Sequence, residues 1–448
     1  MRIAYISAGA GGMLCGSCMH DNTLAAALMR EGHDVALVPC YTPMRTDEAP
    51  VSIDRVFYGA VSVWLESRYA LFRRRWPGLD RLLDHPAVLR WVSRRDWSTS
   101  PEELGTMTLS VLRGEHGEQR KELEHLATWL ADDFRPDVVH LTNSMFLGMA
   151  GPLRRATGAP VVCSVQGEDL FIDAMRAAHR EEARRLMRQQ ADAVEAFVAP
   201  CRDHAETMAA LLEIPAHRMV VVPLGLSTEG HDAPLPPRPA TPGRPFTVGY
   251  MARMAPEKGF HLLAEAFVIL ARRVGGDRVR LRAAGHMRPY DRAYFELSRL
   301  KIEEAGLAGS FEYVGEVDRP GKVAFLRSLD VMSVPTVWRE PKGLSILEAM
   351  ANGVPVVQPA HGVFPDVLQD TGGGVLTIPG SAPDLAGALE RLMEDPPGRE
   401  AMGERGRHAV LSRYTDAAMA RATLSVYRAA SRRGSPGQPQ SPEDACTS

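Results

Sequence analysis

The stretch Val334-Pro-Thr-Val-Trp-Arg-Glu340-Pro-Lys-Gly343-Leu344-Ser345-Ile-Leu-Glu348-Ala-Met-Ala-Asn-Gly353 decides the fold. An apolar run at 331–334 leads into it and another at 354–358 leads out. Between them residues 344–351 are good helix formers, and Gly353 stands where a left-handed residue closes a helix. Strand, loop, helix and strand in that order build a parallel sheet with helical crossovers. The first N–H groups of such a helix, at Gly343, Leu344 and Ser345, lack partners within it and offer an anion site. Glu348 lies one turn on, within reach of a hydroxyl beside that anion, and Glu340 stands in the loop on its other side. A Glu on an apolar helix costs free energy unless it is hydrogen-bonded, which favours a working role for Glu348.

The same rhythm extends outward. In the second half, apolar runs at 247–251, 279–284 and 311–314 surround a helical period at 260–273. The loop Gly249-Tyr-Met-Ala-Arg253-Met-Ala-Pro-Glu-Lys258-Gly259 follows the first run. Arg253 and Lys258 are placed to face one phosphate pair, although two solvated loop cations would read alike. The chain uses Lys five times against 47 Arg, so a Lys at 258 suggests that a compact point charge is wanted. Upstream, residues 226–245 hold six prolines and read as a linker.

Before the linker, strand-like runs at 3–7, 35–39, 138–142, 161–165, 194–200 and 219–223 alternate with helical periods at 20–30, 146–156 and 174–190. Two Rossmann-like domains of α/β class facing a cleft are therefore expected, at 1–225 and 246–412, with ligands at the carboxyl ends of the strands. A helix at 413–431 and a Ser/Pro/Gly-rich, disordered tail at 432–448 complete the chain. Residues about 57–130 break the rhythm and hold five of the six Trp. They read as a helical insertion: a cap, an acceptor site or a membrane-surface contact.

With 448 residues, 45% apolar and 24% charged, the chain is of globular composition. A formal net charge of -3 argues against nucleic acid as partner. No apolar run reaches membrane-spanning length, and the start reads as a strand, not a signal peptide. Scattered cysteines suit the cytoplasm. Cys15 and Cys18 form one C-x-x-C without a second pair to complete a zinc site. No Asp-x-Asp pair is placed for a metal, and His20, His140, His204 and His286 read as structural. The loop Ser7-Ala-Gly-Ala-Gly11-Gly12 allows close backbone approach to a diphosphate, or is a plain tight turn. As a dinucleotide fingerprint it fails, because Leu14 replaces the third Gly and no acid follows strand two, which disfavours an NAD enzyme.

Glu340 and Glu348 at this spacing, the Arg253/Lys258 loop and Gly353-Val-Pro-Val-Val resemble retaining glycosyltransferases of family 4, with the GT-B fold. The resemblance spans residues 1 to about 430. It implies Arg253 and Lys258 on the donor diphosphate, Glu340 on the transferred sugar and Glu348 on the ribose. Leu344 and Ser345 complete the phosphate cradle, with Gly11 and Gly12 approaching from the first domain. It also implies a last helix, near 415–430, that crosses back to the first domain. Family members often carry a His where this chain has Gln166, in Val165-Gln166-Gly167-Glu168-Asp169. Gln cannot shuttle a proton, and Asp169 is the substitute polar group on the acceptor side.

The implied function is sugar transfer from a UDP-, GDP- or ADP-linked donor, without metal or cofactor, to a carbohydrate or lipid-linked acceptor. Residues 57–59, 63–65 and 79–83 are similar to a segment of bacterial glycogen and starch synthases. The implied place is the cytoplasm, with or without peripheral contact at the inner membrane face. A non-catalytic nucleotide-sugar-binding protein or partner subunit is the alternative, supported by Gln166.

Overall fold

The computed structural model describes residues 1–9, 16–42, 44, 46–53, 57, 101–235 and 243–433. The first half runs β1 (Arg2–Ser7), α1 (Gly16–Arg30), β2 (Asp34–Pro39), α2 (Pro101–Leu112), α3 (Arg120–Trp129), β3 (Val138–Leu141) and α4 (Ala150–Thr157). It continues with β4 (Val161–Ser164), α5 (Asp169–Ala174), α6 (Ala177–Ala191), β5 (Ala196–Ala199), α7 (Arg202–Leu212) and β6 (Met219–Val221). Its six strands pair in the order β2-β1-β3-β4-β5-β6, all parallel. Helices cover both faces, so the central strands β3, β4 and β5 are buried along their length and read as continuous apolar runs, as at 161–164.

The second half repeats the plan with β7 (Phe246–Met251), α8 (Phe260–Val274), β8 (Val279–Ala284), α9 (Arg292–Glu304), β9 (Phe311–Gly315), α10 (Arg319–Arg327) and β10 (Val331–Met332). Then follow α11 (Leu344–Ala351), β11 (Val356–Pro359), α12 (Phe364–Thr371), β12 (Gly374–Thr377), α13 (Ala382–Glu394), α14 (Pro396–Arg413) and α15 (Asp416–Arg433). The parallel order is β12-β11-β10-β7-β8-β9. Tyr250, Phe260 and Phe267 are fully buried between this sheet and its helices.

The last helix, α15, packs against α1, and its buried Tyr427 hydroxyl lies 2.6 Å from His140 Nδ1. The chain crosses between the halves twice, and the crossings hydrogen-bond to each other. Leu226 N–H donates to Tyr414 O (2.8 Å), and Asp416 N–H donates to Leu226 O (3.0 Å). The start of the Pro-rich stretch is pinned to the second half, because Arg319 binds the carbonyls of Ser227 and Glu229 and Arg407 those of His231 and Asp232.

Trp64, Trp76, Trp91 and Trp97 of the insertion, Gly11, Gly12, Cys15 and the tail from 434 lie outside the described residues. The described end of the insertion, α3, packs Trp129 against Phe57 in the core of the first half. Among the described residues no helix is long and apolar enough to cross a membrane, and no three His, Cys, Asp or Glu cluster as metal ligands.

Candidate functional site

Loops after the strands of both sheets meet along one cleft. The β7 loop closes on the β10 loop because Gly259, at φ +74°, lets the backbone pass Pro335, whose carbonyl oxygen would lie 1.8 Å from any Cβ there. Val337 N–H then donates to Glu257 O (3.1 Å). This seam puts the Lys258 ammonium on the Glu340 carboxylate, and Lys258 also stands 5.5 Å from the centre of the Trp338 ring. Glu340 Oε1 accepts from Lys342 N–H (3.3 Å), and Glu340 O accepts from Val363 N–H (2.8 Å). Burial alone would raise the buried Glu340 carboxyl. The charge and hydrogen bond of Lys258, helped by Lys342, outweigh it and hold the group below its ordinary value.

Gly343, at φ +67°, caps α11, so the N–H groups of Leu344 and Ser345 open into the cleft end of the β10 loop without intrahelical acceptors. Lys258, Glu340 and this helix start are therefore brought together. Arg253 is turned differently, since its guanidinium pairs with Glu257 on its own loop. Glu348 faces α10 and is buried against Lys322, whose Nζ lies 2.7 Å from Glu348 Oε1 and 2.5 Å from Asp47 Oδ2. Asp47 belongs to the first half, so this ammonium ties the two halves.

On the opposite wall, Gln166 is buried and its Nε2 donates to Asp21 Oδ1 (2.9 Å), Thr142 O (2.9 Å) and Thr142 Oγ1 (3.0 Å). Asp21 is a hub: Tyr5 (2.6 Å), Ser7 (2.7 Å) and Thr142 (2.6 Å) hydroxyls all donate to it, and His20 Nδ1 lies 3.1 Å away. Burial pushes the Asp21 carboxyl up, but the bonds from His20, Thr142 and Tyr5 outweigh it and hold it below its ordinary value. His140, stacked on Tyr5, is pushed down to about 3 by burial and is therefore neutral.

Glu168 fastens two loops, accepting from Ser144 N–H (2.8 Å) and Gln166 N–H (2.6 Å). Asp169 meets the second half directly, because Trp338 Nε1–H donates to its Oδ2 (3.2 Å). Burial raises its carboxyl, with His204 and Trp338 offsetting only part. His204 Nε2 accepts from Gly167 N–H (3.1 Å), which leaves the proton on Nδ1, 4.0 Å from Asp169 Oδ1. His204 thus stands in the cleft, whereas His20 and His286 pair with Asp21 and Glu316.

The cleft is closed by Lys342 on Ser17 Oγ (2.8 Å), Arg339 on Asp203 and Arg202 on Asp366. Sequence reasoning passed over Asp21, Asp47, Lys322 and Lys342, and it read His204 as structural. A signal for two of them existed: the scarcity of Lys that singled out Lys258 applies equally to Lys322 and Lys342.

Two family models match the chain: "Glycosyl transferase 4-like domain" over residues 22–225 and "Glycosyl transferases group 1" over residues 234–409. Phosphatidyl-myo-inositol mannosyltransferase of Mycobacterium leprae is 35% identical over 137 residues, which is 31% of this chain and 36% of that protein. The chain thus spans well under two thirds of that relative. Glycogen synthase of Mycobacterium tuberculosis is 26% identical over 314 residues, 69% of this chain and 72% of that protein. Among solved structures, Anabaena HepE in complex with UDP superposes with a TM-score of 0.65 at 15% identity, covering 96% of this chain and all (100%) of that one. The architecture is shared.

Proposed function

The chain belongs to glycosyltransferase family 4, with the GT-B fold, and from that membership we propose that it transfers a sugar from a nucleoside-diphosphate-sugar with retention and without a metal. The observation that carries the reading is the buried contact of Lys258 with Glu340 beside the capped start of α11. A diphosphate set against the N–H groups of Leu344 and Ser345 meets a cation at Lys258, and Arg253 can leave Glu257 for the same charge. Glu340 then faces the sugar, and Glu348 the ribose.

In the step itself the acceptor oxygen bonds to the anomeric carbon on the face from which the phosphate departs. The bond from that carbon to the phosphate oxygen breaks, and the acceptor proton passes to the leaving phosphate. No side-chain base is required, which suits Gln166: its amide proton donors are committed to Asp21 and Thr142. Its role is to shape the acceptor wall together with Asp169. The protein's contribution is positioning and charge stabilisation. The acceptor is a carbohydrate or a lipid-linked hydroxyl compound.

The test is proton NMR of the product formed from an α-linked donor in the presence of EDTA. The expected product keeps the α configuration, and its rate of formation is unchanged by the chelator. An inverted product, or transfer abolished by EDTA, would contradict the mechanism. Donor binding with no transfer across a broad acceptor panel would favour a non-catalytic sugar-nucleotide binder, the reading that Gln166 suggests.

A further inference from the structure

Asp47 is a carboxylate of the first half with 6% of its side chain exposed. Its Oδ2 lies 2.5 Å from Lys322 Nζ, while its Oδ1 is buried and has no hydrogen-bond partner among the described residues. A plain ion pair between halves does not explain an orphaned oxygen, because burying an unmatched acceptor costs free energy that a donor recovers. The same ammonium holds Glu348 Oε1 at 2.7 Å, so the two carboxylates face each other across one charge. Burial would lower the Lys322 ammonium's own value, but the charges and hydrogen bonds of Glu348 and Asp47 outweigh that and raise it.

The Asp47 corner is fixed from both sides. Arg319 binds Glu48 (3.2 Å) from α10, and Thr23 Oγ1 donates to Glu48 (3.0 Å) from α1. Asn22 accepts from Val51 N–H (2.9 Å) and donates to Ala49 O (3.1 Å). A side chain held this firmly, with an acceptor left over, suits a ligand that brings hydroxyl donors.

We propose that Asp47 is a second ribose-reading carboxylate: the vicinal diol of the donor nucleotide is held between Glu348 of the second half and Asp47 Oδ1 of the first, with Lys322 spacing the two. The inference rests on the nucleotide-sugar reading of the α11 start. It makes ribose recognition and cleft closure one event, since the diol is gripped from both halves only when they meet.

Calorimetry with whichever of UDP, GDP and ADP the wild type binds, and with the 2′-deoxy and 3′-deoxy forms of it, tests this. Asp47→Asn is expected to weaken binding of the parent diphosphate by about tenfold, the worth of one hydrogen bond to a charged group. For one of the deoxy forms the same substitution should cost less than about twofold, because the bond is already gone. Equal losses for all three ligands, or no loss for any, would overturn the proposal. Asp47→Ser gives the same comparison if the Asn variant melts early. Silence of the wild type toward every diphosphate is a distinct result, which removes the nucleotide reading and this inference with it.

Discussion

Glu340→Gln is expected to lower turnover by about 10²–10³-fold while leaving diphosphate affinity unchanged or slightly tighter. The two effects separate because Glu340 and the phosphates share one cation. In the resting protein the Lys258 ammonium lies on the Glu340 carboxylate. The amide keeps the shape but not the charge, so Lys258 is freer to meet a diphosphate, while the group facing the reacting sugar is lost. Stability should respond with a definite sign. Glu340 is held below its ordinary value in the folded chain, so its contribution is full above the unfolded value of about 4.3 and is lost as pH falls through the lowered one. Denaturant midpoints of wild type and variant should therefore differ near pH 7 and converge on acidification. Normal unfolding together with unchanged turnover would contradict the role given to Glu340.

Asp21→Ala is expected to destabilise the protein by about 3–5 kcal/mol, the range for opening a buried charged network. The carboxylate is 1% exposed and serves three hydroxyls and the Gln166 amide. Its removal leaves those donors buried and unmatched in the layer beneath the acceptor wall. The folded Asp21 also titrates below its ordinary value, so its stabilisation is present above the unfolded value of about 3.9 and fades as pH falls below it. Denaturant unfolding at pH 7 measures the effect. A loss under about 1 kcal/mol would mean that the donors find other partners, and that the layer is not held by this carboxylate.

The α/β architecture was legible because its signals are local. Runs such as 161–164 and 246–251 are apolar without alternation, as strands covered on both faces must be. Gly343 at φ +67° and Gly353 at φ +70° bracket α11 where the sequence placed its ends. Lys258 was singled out because Lys is scarce in this chain, and Glu340 because it stands in the loop just before the α11 start. What was missed is non-local. Asp21 gathers partners from β1 and from the loops after β3 and β4, up to 145 positions away. Asp47 and Lys322 are 275 positions apart. Neither set follows a period, and neither looks unusual until the sheets bring the residues together. His204 was read as isolated for the same reason: Asp169, its neighbour in the cleft, lies on another element.

The central claim is that the start of α11, with Lys258, is a diphosphate site. Calorimetric titration of wild type and Lys258→Met with UDP, GDP and ADP, each without metal, tests it most directly. One diphosphate should bind the wild type, and the substitution should weaken it by about 10–100-fold, as removal of a charge-assisted partner does. Silence toward all three, or binding that Lys258→Met leaves untouched, would contradict the claim.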